Sequence, residues 1–467
     1  MSGLSVDEIV RATDGELLGG ARDIEFPAIS IDSRKIQPGE LFWAIRGEHF
    51  NGNDFIPEVL KKGAAGLVTD NGLTSFKGPE NIPLIKVASS LTALQQLATY
   101  NRRKHPVPLI AITGSNGKTT TKEIVASILE RKYEVLKNEG NLNNLIGVPL
   151  TLLRLHTDHE AAVIEMGMNK AGEIRELAAM ARPNLGIITN IGEAHLEGLG
   201  TVENIKRAKG ELIEALNDED QVVLNADDDS VMELQAYAKG KVTTFGIEND
   251  AHIMAGEVEI EWGKGTLFIL YAGGSSIPVL LPIYGIHQLY NALAASAAAY
   301  TLGFSLKEIR EGLEAYNGYS GRMEIIHILG VAVINDSYNA NPPSVRYAIE
   351  TMKKLAEGRT IAVLGDMLEL GEKEEKIHSD MGCFAHEKGL DCIVTVGSRA
   401  RKIASGAIES GMDGNRVLSF DSTTDAANYL KGEISEGDWI LVKGSRGMKM
   451  ETIASQLIDH LKMKETG

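Results

Sequence analysis

Residues 113–120 read Thr-Gly-Ser-Asn-Gly-Lys-Thr-Thr, between the apolar run 107–112 and a stretch, 121–130, whose apolar residues recur at helical spacing. Strand, glycine-punctuated turn and helix in that order commit this part of the chain to an α/β sheet with a phosphate-holding loop at a strand end. Gly114 and Gly117 let the backbone wrap with its N–H groups inward, and the helix N-terminus adds a positive dipole end. Thr113, Ser115, Asn116 and Thr120 complete the cradle. Lys118 is expected on the outer phosphates of a nucleotide and the Thr119 hydroxyl on Mg²⁺. One position departs from the longer P-loop pattern, which has a glycine five residues before Gly117; Ile112 stands there. The shortened form points away from kinases and GTPase switches and towards a narrower group of nucleotide-using enzymes.

A net charge of −17 argues against a general nucleic-acid or anionic-membrane binder, so a phosphate site must be built from local groups. Cys383 and Cys392 are the only cysteines, which gives neither a disulfide framework nor a zinc site. The first residues carry no basic and apolar leader pattern. The most apolar helical run, 291–300, is too short to span a bilayer. These features lead us to expect a cytoplasmic enzyme, with no membrane insertion and a monomeric state.

The 467 residues suggest about three domains, at ~150 residues each. Residues 1–88 read as a small N-terminal α/β unit with strand-like runs at 29–32 and 41–45. A helical stretch over 89–104, broken by His105-Pro-Val-Pro108, connects it to a central domain, 89–318. There, apolar runs at 161–166, 185–190 and 221–225 alternate with helices, as in a mostly parallel sheet covered on both faces. Residues 242–283 change to short alternating strands with glycine turns, which predicts an antiparallel patch. After the glycine-rich break at 318–322, runs at 331–334, 360–364, 392–396 and 439–442 predict a Rossmann-like C-terminal domain, 319–467. It lacks G-x-G-x-x-G after its first strand and is not read as a dinucleotide site.

Candidate chemistry gathers at strand ends. Glu165 closes an apolar strand, placed either to hold a metal against the phosphates or to lie on the surface. His195 follows the next strand, either a neutral imidazole ligand or a structural histidine. Lys209 falls on a predicted helix, where nothing in its spacing makes it functional. Asn291, on an alanine-rich helix, offers an amide to a base edge. Residues 335–344, Asn-Asp-Ser-Tyr-Asn-Ala-Asn-Pro-Pro-Ser, suit an ordered hydrogen-bonding loop better than a packed core. Arg322, just before it, is a cation that domain closure would carry towards the P-loop.

Together these tracts resemble the Mur ligase family, ATP-dependent enzymes that form amide bonds in peptidoglycan precursors, along nearly the whole chain. The resemblance rests on the short P-loop, the asparagine-rich run 141–149, the tract 335–344, the run 364–372 and Val442-Lys-Gly-Ser-Arg446. It implies that Glu165, His195 and Lys209 join Thr119 in holding two Mg²⁺ ions, with Lys209 carbamylated. Lys118, His195, Lys209 and Arg322 then carry the catalysis, and Asn291 and Asp336 meet the adenosine of ATP. The same resemblance implies Asp32, Ser33 and Arg34 for a uridine diphosphate end and Asn143 and Asn144 for the middle of a muramoyl substrate. It leaves Tyr338, Asn339 and Asn341 for the acceptor or the closed cleft. The tract 335–344 favours UDP-MurNAc-tripeptide and D-alanyl-D-alanine as substrates over a single amino acid. A sister ligase, or a P-loop switch or kinase, remains the alternative. A hinge is expected around residues 316–322.

Overall fold

The computed structural model describes residues 3–47, 50–70, 81–193 and 196–466. Among the described residues the N-terminal sheet has five strands, β1 (Glu16–Gly19), β2 (Ile29–Ser30), β3 (Leu41–Trp43), β4 (Gly66–Thr69) and β5 (Leu84–Lys86), in the order β1-β5-β4-β3-β2. The two runs expected as strands at 29–32 and 41–45 supply β2 and β3. Helix α1 (Ser90–Lys104) follows, capped by the Ser89 hydroxyl, which accepts the Thr92 N–H. The Trp43 indole donates to the Ser90 carbonyl at 2.8 Å, joining sheet to helix. Further along, Asn101 donates to the carbonyls of Leu152 and Leu155, and Arg102 to that of Ala181. Helix α1 is thus bonded by polar groups to the central domain.

The central sheet has nine strands: β6 (Leu109–Thr113), β7 (Val135–Lys137), β8 (Ala161–Glu165), β9 (Leu185–Ile188), β10 (Gln221–Asn225), β11 (Lys241–Gly246), β12 (Ile253–Glu261), β13 (Gly265–Ala272) and β14 (Ser275–Leu281). Their order is β14-β13-β12-β11-β10-β9-β6-β8-β7, parallel from β7 through to β12. Strand β6 lies between β9 and β8, all three buried along their length because helices cover both faces. The expected antiparallel patch is the edge of this same sheet, and it begins later than the sequence suggested. β11 still runs parallel to β10, with its last four residues buried. Only from β12 onward, where buried and partly exposed residues alternate, are the pairings antiparallel. Helices α2 (Lys118–Leu129), α3 (Val202–Glu214) and α4 (Ile286–Thr301) position the site.

The C-terminal sheet comprises β15 (Glu324–Ile328), β16 (Val331–Asn335), β17 (Thr360–Gly365), β18 (Cys392–Val396), β19 (Val417–Phe420) and β20 (Trp439–Lys443). Its order is β15-β16-β20-β17-β18-β19, parallel except for the β15–β16 hairpin. After β16 the chain runs through a loop into α5 (Pro342–Leu355), which Asn341 caps by accepting the Ser344 N–H at 3.0 Å. Trp262, at the tip of the β12–β13 hairpin, packs edge-on against Trp439 of the C-terminal sheet, centroids 4.9 Å apart, with His327 and Tyr284 also against its ring. The second and third domains therefore share an aromatic seam.

Candidate active site at the seam of two domains

The loop between β6 and α2 takes its shape from two glycines in positive-φ conformations, Gly114 at 152° and Gly117 at 81°. A Cβ on Gly114 would fall 1.9 Å from Thr189 Oγ1, and one on Gly117 would fall 2.1 Å from Asn291 Oδ1. No side chain fits at either place. The strand end beside the loop braces it from outside. Ser115 and Asn116 donate their backbone N–H groups to the carbonyl and the side chain of Asn190, and Thr189 Oγ1 donates to the Asn116 carbonyl at 2.6 Å. The Lys118 ammonium folds back onto the carbonyls of Gly114 and Ser115 at 2.7 and 3.3 Å. Burial lowers its pKa, with Glu165 opposing the shift and Arg322 adding to it.

Thr119 and Glu165 meet beneath this loop. The Thr119 hydroxyl donates to Glu165 Oε2 at 2.9 Å, and Asn143 Nδ2 donates to Oε1 at 2.7 Å. Asn138 grips the Glu165 backbone from both sides, accepting its N–H and donating to its carbonyl. Glu165 is 2% exposed, and among the described residues no lysine or arginine lies within ion-pair distance of it. Lys209, on α3, is 1% exposed and makes no hydrogen bond or ion pair among the described residues. Burial drives its pKa well below the usual lysine range, and the positive charge of Lys118 pushes the same way. A buried carboxylate without an ion-pair partner is costly, and a divalent ion would satisfy it; Lys209 would join Glu165 as a ligand only as a carbamate, whose oxygens carry the negative charge the amine lacks. The residues present therefore fit the expected metal. No three His, Cys, Asp or Glu side chains converge as a metal site among the described residues. His195 lies outside the described residues.

The third domain closes over this centre. Arg322 Nη2 donates to Thr119 Oγ1 at 3.1 Å, its guanidinium lies 4.0 Å from the centroid of the Tyr338 ring, and its Nε is buried without a partner among the described residues. Asn341 Nδ2 donates to Asn116 Oδ1 at 2.7 Å, tying the cap of α5 to the P-loop. Asp336 is held by Lys443, whose ammonium donates to its Oδ2 at 2.6 Å and to the Asn339 carbonyl at 2.9 Å; both side chains are buried. The Met323 N–H donates to the other Asp336 oxygen.

Other expected residues have local work. Asn291 is buried under Gly117, accepting from Thr121 and donating to Gln288. Asn144 accepts the backbone N–H groups of Ile146 and Gly147 at the start of the helix Gly147–Leu152. Asp32 and Arg34 form a two-bond pair on the surface of the N-terminal domain, and the Ser33 carbonyl accepts from Lys62. Thr113, the last residue of β6, and Thr120, in the first turn of α2, are buried on either side of the loop.

Sequence reasoning did not single out Lys443, Asn190 or Glu369. Lys443 was within reach, because a lysine that ends a fully apolar strand must find an anion. Glu369, in a left-handed conformation with its carbonyl accepting the Glu197 N–H, faces Lys118 from the third domain.

Three family descriptions match the chain: "Mur ligase family, catalytic domain" over residues 25–102, "Mur ligase middle domain" over 112–299, and "Mur ligase, glutamate ligase domain" over 321–446. The chain is 37% identical over 433 residues to a UDP-N-acetylmuramoyl-tripeptide–D-alanyl-D-alanine ligase of Bacillus subtilis, covering 92% of this chain and 93% of that one. Among solved structures it is similar to MurF from Acinetobacter baumannii, with 33% identity, a TM-score of 0.88, and coverage of 98% and 99% of the two chains. It is also similar to the MurF ligase from Thermotoga maritima in complex with ADP, with 28% identity, a TM-score of 0.82, and coverage of 94% and 98%.

Proposed function

The chain belongs to the Mur ligase family, and we propose that it joins D-alanyl-D-alanine to UDP-N-acetylmuramoyl-tripeptide at the expense of ATP. The observation that carries the chemistry is the contact of Arg322 with Thr119. It brings a third-domain cation to the hydroxyl that a P-loop offers to its metal. The relatives so named match over 92% to 99% of the chain, which supports this choice of substrates.

The chemical problem is to bring two anions together, a carboxylate and a triphosphate, and to transfer a phosphoryl group between them. The loop N–H groups, the N-terminus of α2 and Lys118 hold the phosphates in line. Arg322, with its unpartnered Nε, receives the charge that spreads over the transferring group, as arginine clamps do in phosphoryl transfer. The resulting acyl phosphate is attacked by the amine of the dipeptide, and collapse of the tetrahedral intermediate forms the amide and releases phosphate. Excluding water during these steps protects the acyl phosphate, which is the purpose of closure about residues 316–322. Gly318 and Gly321, both at positive φ, supply freedom there.

Thr119, Glu165, His195 and Lys209 would hold Mg²⁺. The metal, when bound, screens the phosphate charge and polarises the phosphoryl oxygen. Burial favours the neutral amine of Lys209 over its ammonium, and the neutral amine is the form that adds CO₂, giving a carbamate whose oxygens suit a hard cation. Asn291 and Asp336 serve the adenosine end, Asp32, Ser33 and Arg34 the uridine diphosphate, and Asn143 and Asn144 the muramoyl peptide. Tyr338, Asn339 and Asn341 line the acceptor side. The domain limits 1–88, 89–318 and 319–467 fit this division of labour.

Phosphate release from Mg-ATP with UDP-MurNAc-tripeptide tests the reading, with D-alanyl-D-alanine or single amino acids as acceptors. Turnover confined to the dipeptide, with a UDP-MurNAc-pentapeptide by mass, is the expected result. Turnover with a free amino acid instead would reassign the chain to a sister activity.

A further inference from the structure

We propose that Arg446 recognises the free carboxylate of the acceptor dipeptide, an inference that rests on the ligase reading above and assigns a contact within that site. Ligation consumes the amine of the acceptor and leaves its carboxylate untouched. That anion enters a cleft already crowded with phosphate and carboxylate, so a cation separate from those holding the phosphates is needed to receive it.

The cations of the third domain divide in this respect. Lys443 is buried against Asp336 and two carbonyls. Arg322 is turned to Thr119 and the phosphate centre. Arg446 has its guanidinium 5.5 Å from the centroid of the same Tyr338 ring that Arg322 approaches at 4.0 Å. An extended residue spans about 3.5 Å, so the two ends of a dipeptide lie roughly 7 Å apart. Approach to one shared ring keeps the two guanidiniums within reach of the ends of a dipeptide, with the phosphate centre on the Arg322 side.

The backbone under Arg446 is fixed. Its N–H donates to Asn339 Oδ1 at 3.3 Å, and the neighbouring Ser445 bonds Asp366 and Leu368 through its N–H and its hydroxyl. The side chain, by contrast, is 60% exposed, and among the described residues its one ion pair is with Glu451, itself 38% exposed, at 3.1 Å. An exposed pair of this kind holds weakly in water and exchanges readily for a better-aligned carboxylate. The planar guanidinium offers the two-bond geometry that a terminal carboxylate accepts. A firm base with a loosely engaged head is the arrangement expected of a recognition residue.

The test compares D-alanyl-D-alanine with D-alanyl-D-alaninamide, which keeps the amine and removes the anion. Both acceptors are given to the wild type, Arg446→Gln and Arg446→Lys at saturating Mg-ATP and UDP-MurNAc-tripeptide. The wild type is expected to prefer the acid by roughly 10- to 100-fold in kcat/KM, the usual effect of losing a hydrogen bond between charged groups. Arg446→Gln is expected to lose a similar factor through the dipeptide KM and to treat acid and amide alike. Arg446→Lys is expected to retain part of the preference. A wild type indifferent to the amide, or an Arg446→Gln enzyme that keeps the wild-type preference, overturns the assignment. The wild-type comparison stands even if a variant fails to fold. A wild type with no turnover on D-alanyl-D-alanine would overturn the ligase reading, and this inference with it.

Discussion

Arg322 of the third domain donates to the hydroxyl of Thr119 of the second at 3.1 Å, while that hydroxyl donates to Glu165 at 2.9 Å. Three residues far apart in the chain thus meet on one oxygen atom, and the position of Arg322 depends on domain closure. Arg322→Ala is expected to lower kcat by roughly 10²- to 10³-fold, the usual loss when a transition-state donor is removed. The KM for ATP should change far less. Steady-state kinetics that show the loss mainly in KM would assign Arg322 to ground-state binding instead.

Gly117→Ala probes the loop itself. The added methyl meets Asn291 Oδ1 at 2.1 Å, in a backbone conformation that alanine resists. A destabilisation of about 1–3 kcal/mol is expected from strain and overpacking together. ATP binding should weaken in parallel, as read by thermal unfolding with and without Mg-ATP. Pairing the change with Asn291→Ala should recover part of the stability, because the clash goes and the backbone strain stays.

Lys209→Gln is expected to lose at least about two orders of magnitude in kcat, since it removes the ligand that a carbamate would supply. Lys209→Arg should not restore activity, because a guanidinium does not add CO₂. Wild-type enzyme labelled with ¹³C-bicarbonate should show a carbamate resonance that Lys209→Gln lacks. Equal spectra would rule out the modification.

His287, at the first turn of α4, stacks on Tyr347 of α5 across the domain boundary, with centroids 5.7 Å apart. Burial lowers its pKa to about 4, with Asp336 opposing the shift and Lys443 adding to it. The unfolded chain therefore binds this proton more readily than the folded one. Its contribution to stability is complete above about pH 6.5 and is lost as the pH falls towards 4. That loss should be on the order of 2 kcal/mol. Denaturant titrations at pH 7 and pH 4.5 should show a smaller loss for His287→Gln than for the wild type.

Much of this was legible in the sequence because it is local. A glycine-punctuated turn between an apolar strand and a helix needs only adjacent residues, and so does the polar tract 335–344. Lys209 shows where local reading stops. Its helix carries a run of buried residues from Ala208 to Ile213, and the packing that encloses the lysine comes from elements distant in the chain. Asn144 shows the opposite difficulty. An asparagine that bonds the N–H groups ahead of it at a helix start has the same signature as one reserved for a ligand. The start of the antiparallel edge was misjudged because β11 is short, and its parallel pairing with β10, a contact between distant segments, is invisible to local reading.

The two sides of the boundary between the second and third domains are made of different materials. Near the P-loop the contacts are hydrogen bonds, which fail once their angles open by a few tens of degrees. At the Trp262 tip they are ring faces and edges, whose attraction is spread over many atoms and survives a small rotation. The boundary is therefore a door with latch and pivot already distinguished. Product release would need to break only the directional contacts, while the aromatic bearing keeps the departing domain on its track.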